Sequence, residues 1–149
     1  MPRIEEEVLL KCTREIAFRE LADIDFMRRL DPNFGLDTEI LFHNARLLIS
    51  LSKVKGIGNV QIERVTLPEV FTLITERRPP MAPFTYQLSI QMLFDHAGGT
   101  LLKWIDEFEL DSDNKQREGA ILSYIRTNDV ANLRKTQEHL ACLSEKRHL

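Results

Sequence analysis

The sequence predicts an α+β chain in which one strand and two short helices precede six antiparallel strands and a long closing helix. Three observations carry this expectation. Apolar spacing switches from period 2 to helical intervals near Thr13, six runs rich in β-branched and aromatic residues lie between Thr38 and Leu110, and helical spacing returns from about Asp113 to Ser144. At 149 residues the chain is expected to form a single domain over 1–149, with roughly 70% of its unfolded surface buried.

Ile4 to Lys11 carries Ile4, Val8 and Leu10 on one parity, with Glu6 among them, and is expected to be a strand. Thr13 is placed to cap a first helix, along which Ile16, Phe18, Leu21, Ile24, Phe26, Met27 and Leu30 recur, and Asp23 or Asp25 suits the start of a second. Asp31-Pro32-Asn33-Phe34-Gly35 ends the helical stretch, because proline pushes the residue before it out of the α region. The six strands are expected at Thr38–Phe42, Arg46–Lys53, Val60–Thr66, Val70–Arg77, Phe84–Phe94 and Thr100–Leu110. In the fifth run Phe84, Tyr86, Leu88, Ile90, Met92 and Phe94 alternate with mostly polar residues, which predicts that this apolar parity is buried. Asp95-His96-Ala97-Gly98-Gly99 then supplies a hairpin loop, and Leu102, Trp104, Phe108 and Leu110 line one parity of the next strand. Three prolines in Arg77-Arg78-Pro79-Pro80-Met81-Ala82-Pro83 predict an edge, corner or loop, since each lacks the donor of a central strand. In the closing helix Leu122, Ile125, Leu133, Leu140 and Leu143 form a stripe interrupted by Asp129 and Thr136.

Composition narrows the function classes. Hydrophobic residues at 43% and charged residues at 29% exclude wholesale disorder, and two cysteines, Cys12 and Cys142, exclude a disulfide scaffold. A net charge of −3 without long basic runs argues against nucleic acid as a partner. No apolar stretch approaches the roughly 18 residues of a membrane span, and the acidic Glu5-Glu6-Glu7 is unlike a signal peptide, so a cytoplasmic protein is expected. His43, His96, His139 and His148 show no metal-binding spacing, Gly56-Ile57-Gly58 lacks the rest of a dinucleotide fingerprint, and no serine sits in a G-x-S-x-G elbow. No metal and no cofactor are expected.

The order of elements, together with Ala82-Pro83-Phe84-Thr85-Tyr86, the hairpin around Gly98-Gly99-Thr100 and the long last helix, resembles the SRPBCC superfamily over about Ile4 to Leu143. This superfamily joins START lipid-transfer domains, Bet v 1-like allergens and polyketide cyclase/dehydrase-like proteins. The resemblance implies a helix-grip fold, a curved seven-stranded antiparallel sheet wrapped around the C-terminal helix, with a cavity for an apolar or amphipathic molecule between them. Where plant Bet v 1-like members carry a glycine-rich loop between the second and third strands, this chain has His43-Asn44-Ala45.

The fold implied by the resemblance makes the first and last strands neighbours, so Glu6 and Asp106 are expected to meet among apolar side chains. Desolvation and mutual repulsion there would raise at least one carboxyl pKa and create a proton donor. The bland alternatives are a bulge that turns either residue to solvent, or a pairing of the buried carboxylate with Arg46 or Arg64. Expected ligand contacts are Phe84, Tyr86, Ile90, Met92, Trp104, Asp106 and Phe108, with Tyr86 and Trp104 adding polar handles. The leading expectation is binding or transport of a hydrophobic small molecule such as a lipid, quinone or polyketide-like compound. Two alternatives stand beside it: a cyclase or dehydratase using Asp106 and Glu6, and an interaction module with a vestigial cavity that meets a protein partner or a second copy.

Overall fold

The computed structural model describes residues 2–26, 38–54, 58–78 and 84–147. Strand β1 (Arg3–Leu10) leads into helix α1 (Arg14–Ala22), and strands β2 (Thr38–His43), β3 (Leu47–Val54), β4 (Gly58–Leu67), β5 (Thr72–Arg78), β6 (Phe84–His96) and β7 (Gly99–Leu110) follow. Helix α2 (Glu118–Arg147) closes the chain. The strands form one antiparallel sheet in the order β1-β7-β6-β5-β4-β3-β2, so β2 to β7 are a meander and β1 returns to pair with its last strand. All seven expected strands are present with ends shifted by one or two residues. The predicted second helix begins at 24–26, while Met27 to Gly35 and the proline segment 79–83 lie outside the described residues.

Local chemistry explains the boundaries. Thr13 caps α1 by accepting from the Ile16 amide at 3.4 Å, and Asp23 accepts from the Asp25 amide at 2.7 Å where the chain leaves that helix. Asn44 folds the β2–β3 turn, its side-chain oxygen accepting from the Arg46 and Leu47 amides at 2.8 Å each. The β6–β7 hairpin turns on Ala97 (φ 44°) and Gly98 (φ 85°), a two-residue turn with positive φ at both central positions whose twist matches the flanking strands. The segment expected to open the last helix is instead a 3₁₀ turn, Ser112–Arg117, capped by Asp111, which accepts from the Asn114 amide at 3.0 Å. Helix α2 proper has 30 residues and spans about 45 Å.

One face of the sheet, the inner face, is turned toward α1 and α2. Register assigns it Ile4, Glu6, Val8 and Leu10 from β1, and Leu102, Trp104, Asp106 and Phe108 from β7. Across β6 the partners of Phe108, Asp106, Trp104 and Leu102 are Gln87, Ser89, Gln91 and Leu93. The predicted burial of the other β6 parity is thus inverted. Tyr86, Ile90 and Met92 share the outer face, where they are half-buried by side chains of neighbouring strands, and Phe94 is exposed. An irregularity between Phe84 and Tyr86 shifts the register, so Phe84 pairs with Leu110. The alternation was real, but its apolar side faces away from the helix.

Among the described residues the inner face buries three separate apolar clusters. One joins Leu10, Leu73, Leu93, Leu102 and Trp104 of the sheet to Leu21 of α1 and Leu133 and Leu140 of α2. A second gathers Ile4, Phe108 and Leu110 against Ile125. The third, Leu48, Val60 and Ile62, lies on β3 and β4 with Ile24 against it. Helix α2 packs along β1. Ion pairing of Arg126 with Glu6 at 3.4 Å and a hydrogen bond from Gln137 Nε2 to the Leu9 carbonyl at 2.9 Å hold it there.

Candidate functional site

A buried polar row crosses the inner face between these clusters. Register aligns Arg64 on β4, Thr75 on β5, Ser89 on β6 and Asp106 on β7, and Ser50 lies on β3 beside Ile62. All five are buried, with Asp106 only 1% exposed. Each sits on an inward parity among apolar neighbours, as Val60, Ile62 and Arg64 do along β4, which is why the pleat carries them inside. Helix α2 adds Asp129 at 6% exposure, one turn from Ile125 and one turn from Leu133. Ile125, Asp129, Leu133, Thr136 and Leu140 are the buried stripe of the helix, so the polar residues that interrupt its apolar pattern belong to the sheet-facing side.

The polar groups are linked at one end of the row and left open at the other. Arg77 donates to the Ser89 hydroxyl at 3.2 Å, Ser89 donates to Asp106 Oδ1, and Asp129 hydrogen-bonds to Asp106. Burial pushes the Asp129 carboxyl up to about 9, and its hydrogen bond to Asp106 and the Asp106 charge act in the same direction. Nearby Arg77 opposes the shift and Glu6 adds to it. Asp129 consequently holds its proton at neutral pH while it faces Asp106 across the row.

Four described side chains of the inner face and α2 present buried polar atoms that have no hydrogen-bond partner: Ser50 Oγ, Arg64 Nε and Nη1, Trp104 Nε1 and Asp129 Oδ2 are the atoms concerned. Arg64 spends only Nη2, on the Leu21 carbonyl oxygen. Buried polar groups are ordinarily satisfied, and each one left unpaired costs about 1–3 kcal/mol. Their concentration where the apolar core divides marks this strip as the candidate site.

The structure places the expected residues unevenly. Asp106, Trp104 and Phe108 are buried on the inner face, whereas Tyr86, Ile90 and Met92 are on the outer one because β6 pairs with β7 in the opposite parity. Phe84 is described in its backbone alone. Glu6 shares the inner face with Asp106, one diagonal step away in the β1–β7 ladder, but its ion-pair partner is Arg126. Asp129 takes the place facing Asp106 that was expected of Glu6. Neither arginine weighed as a partner of the buried carboxylate meets it: Arg46 pairs with Glu69 at the surface, and Arg64 meets a carbonyl. Among the described residues no three His, Cys, Asp or Glu side chains gather as a metal site. Cys12 is buried just after β1.

No protein-family model and no curated relative matches the sequence. Solved structures do resemble it over nearly its whole length. The Zhui aromatase/cyclase from Streptomyces sp. R1128 superposes with a TM-score of 0.78 at 14% identity, over 94% of this chain and 93% of that one. Truncated norcoclaurine synthase from Thalictrum flavum gives 0.73 at 12% identity, over 94% and 92%. A START superfamily protein from Mycobacterium smegmatis gives 0.65 at 14% identity, over 93% and 98%. At such identities the likeness is one of fold, and it agrees with the seven-stranded sheet and long C-terminal helix. The chain has the helix-grip fold of these solved structures, a seven-stranded antiparallel sheet closed by a long C-terminal helix.

Proposed function

We propose that the chain binds a small, largely apolar molecule bearing oxygen acceptors, held between the inner face of the sheet and α2. The observation that carries this reading is the set of unpartnered buried groups in the divided core. Arg64 and Trp104 offer N–H groups, and Asp129 presents one unpartnered carboxyl oxygen, Oδ2. A ligand carrying carbonyl, hydroxyl or carboxylate oxygens satisfies such groups, while its apolar body extends the surrounding Leu, Ile and Val surface at about 25 cal/mol per Å² before association costs. The folds compared above include an aromatase/cyclase and a START protein, which supports ligand binding as a class.

Trp104 is the sole tryptophan of the chain and lies in the proposed site, so its fluorescence reports occupancy directly. Titration with menadione and with decanol is expected to change Trp104 emission and raise the melting temperature, and native mass spectrometry is expected to find a small molecule retained through purification. Absence of all three effects overturns the reading and favours an interaction module.

A second reading, acid–base catalysis of the cyclase or dehydratase type, is favoured by the protonated Asp129 carboxyl facing Asp106. It requires turnover of an aromatic polyketide-like substrate that is lost in both Asp106→Asn and Asp129→Asn while ligand binding persists. Binding without turnover leaves the carrier reading.

A further inference from the structure

We infer that Arg64 anchors the head group of a carboxylate-bearing ligand, an amphipathic acid whose apolar part lies along the inner face. This rests on the ligand-binding reading above and names its ligand class. The guanidinium is 4% exposed and is held from one side alone, by the bond from Nη2 to the Leu21 carbonyl oxygen. Nε and Nη1 are buried without a partner. None of the ion pairs among the described residues involves Arg64, and the charge that does act on it is the like charge of Arg77. Burial and that neighbour lower its pKa to about 10, which still leaves it charged at neutral pH.

A buried cation without a counterion is costly, and breaking one side of a buried pair costs more than never forming it. The packing supplies no carboxylate on β3, β4 or β5 to answer Arg64, because its inward neighbours across the ladder are Leu48 and Thr75. The paired acids Asp106 and Asp129 lie three strands away, about 14 Å at the usual strand spacing, and they are already occupied with each other, Ser89 and Arg77. A carboxylate head group supplies the missing charge and gives an idle N–H group of the guanidinium an acceptor. The apolar cluster of Leu48, Val60 and Ile62 flanks Arg64 along the same strands and provides a wall for the remainder of the molecule.

The test compares sodium decanoate, decanol and decylamine on the intact chain, read by Trp104 fluorescence and thermal melting. Decanoate is expected to bind at least tenfold more tightly than decanol, and decylamine not to bind. In Arg64→Gln the tenfold advantage of decanoate over decanol is expected to vanish; Arg64→Lys, which keeps the charge, is expected to retain part of it. The apo Arg64→Gln protein is expected to melt at or above the wild-type temperature, because an uncompensated buried charge has been removed, whereas a purely structural arginine would lower it. Equal binding of decanoate and decanol by wild type, or a decanoate advantage that survives in Arg64→Gln, overturns the anchor and leaves the ligand-binding reading standing. If no probe binds, both fall. Should Arg64→Gln fail to fold, the three-probe comparison on wild type and Arg64→Lys decides alone.

Discussion

Asp129 sets the pH response of the fold. Its carboxyl ordinarily titrates near 3.8 and is raised to about 9 in the folded chain, so between those values folding takes up a proton. The stabilisation from the neutral carboxyl is therefore complete below the unfolded value and is lost as pH climbs toward the folded one. Stability contributed by this group is expected to fall with rising pH by up to about 1.4 kcal/mol per unit across that window. Asp129→Asn keeps the shape and the hydrogen bond to Asp106 but removes the titration. Urea unfolding from pH 5 to 8.5 should show the variant gaining on wild type as pH rises. Parallel profiles would mean that Asp129 does not hold its proton in the folded chain. The same residue shows why a site is harder to read than a core: an aspartate in an apolar stripe looks like an interruption until the helix phase, with Ile125 and Leu133 one turn to either side, is taken as evidence that it too faces inward.

The elements were legible wherever local chemistry decides them, and illegible where pairing across strands decides. Strand positions, the Thr13 cap and the Ala97-Gly98 turn follow from propensity, capping and φ preference, each contained within a few residues. Which parity of β6 faces the helix does not, since alternation gives two faces and the register with β7 chooses between them. Here the more apolar parity lost, because the inward row carries the polar residues of the site, Ser89 above all, while Ile90 and Met92 cover the outer face. The closure of β1 on β7 depends on another constraint that spacing alone does not announce. A Cβ on Gly99 would collide with the backbone carbonyl oxygen of Leu10, so β1 approaches the start of β7 as closely as glycine allows. Gly99→Ala is expected to cost about 1–3 kcal/mol, as overpacking does, and to loosen the β1 amides in hydrogen exchange. An equal loss of protection throughout the meander, with none specific to β1, would place the damage elsewhere.

At the scale of the molecule the divided core is what separates this sheet and helix from a simply packed α+β domain. The cluster of Leu48, Val60 and Ile62 at the β3–β4 side and the cluster of Ile4, Phe108, Leu110 and Ile125 at the β1–β7 side share no member, and the polar row from Arg64 to Asp106 runs between them. Residues without shared partners contribute independently to stability, while those in one packed cluster do not. Leu48→Ala and Ile125→Ala are each expected to cost about 2–5 kcal/mol, depending on how far each site collapses. Combined, they should add to within about 0.5 kcal/mol, whereas Leu102→Ala with Leu133→Ala, both from the cluster that joins α2 to the sheet, should depart from additivity by more. A saturating ligand changes that expectation in a specific way. A molecule that spans the row touches both outer clusters, so Leu48 and Ile125 become coupled through it and their costs cease to add in its presence. Additivity without ligand and coupling with it, measured by urea unfolding of the two single variants and the double, would show that the core is completed by what it binds. Coupling already present in the apo chain would mean that the two clusters form one continuous core.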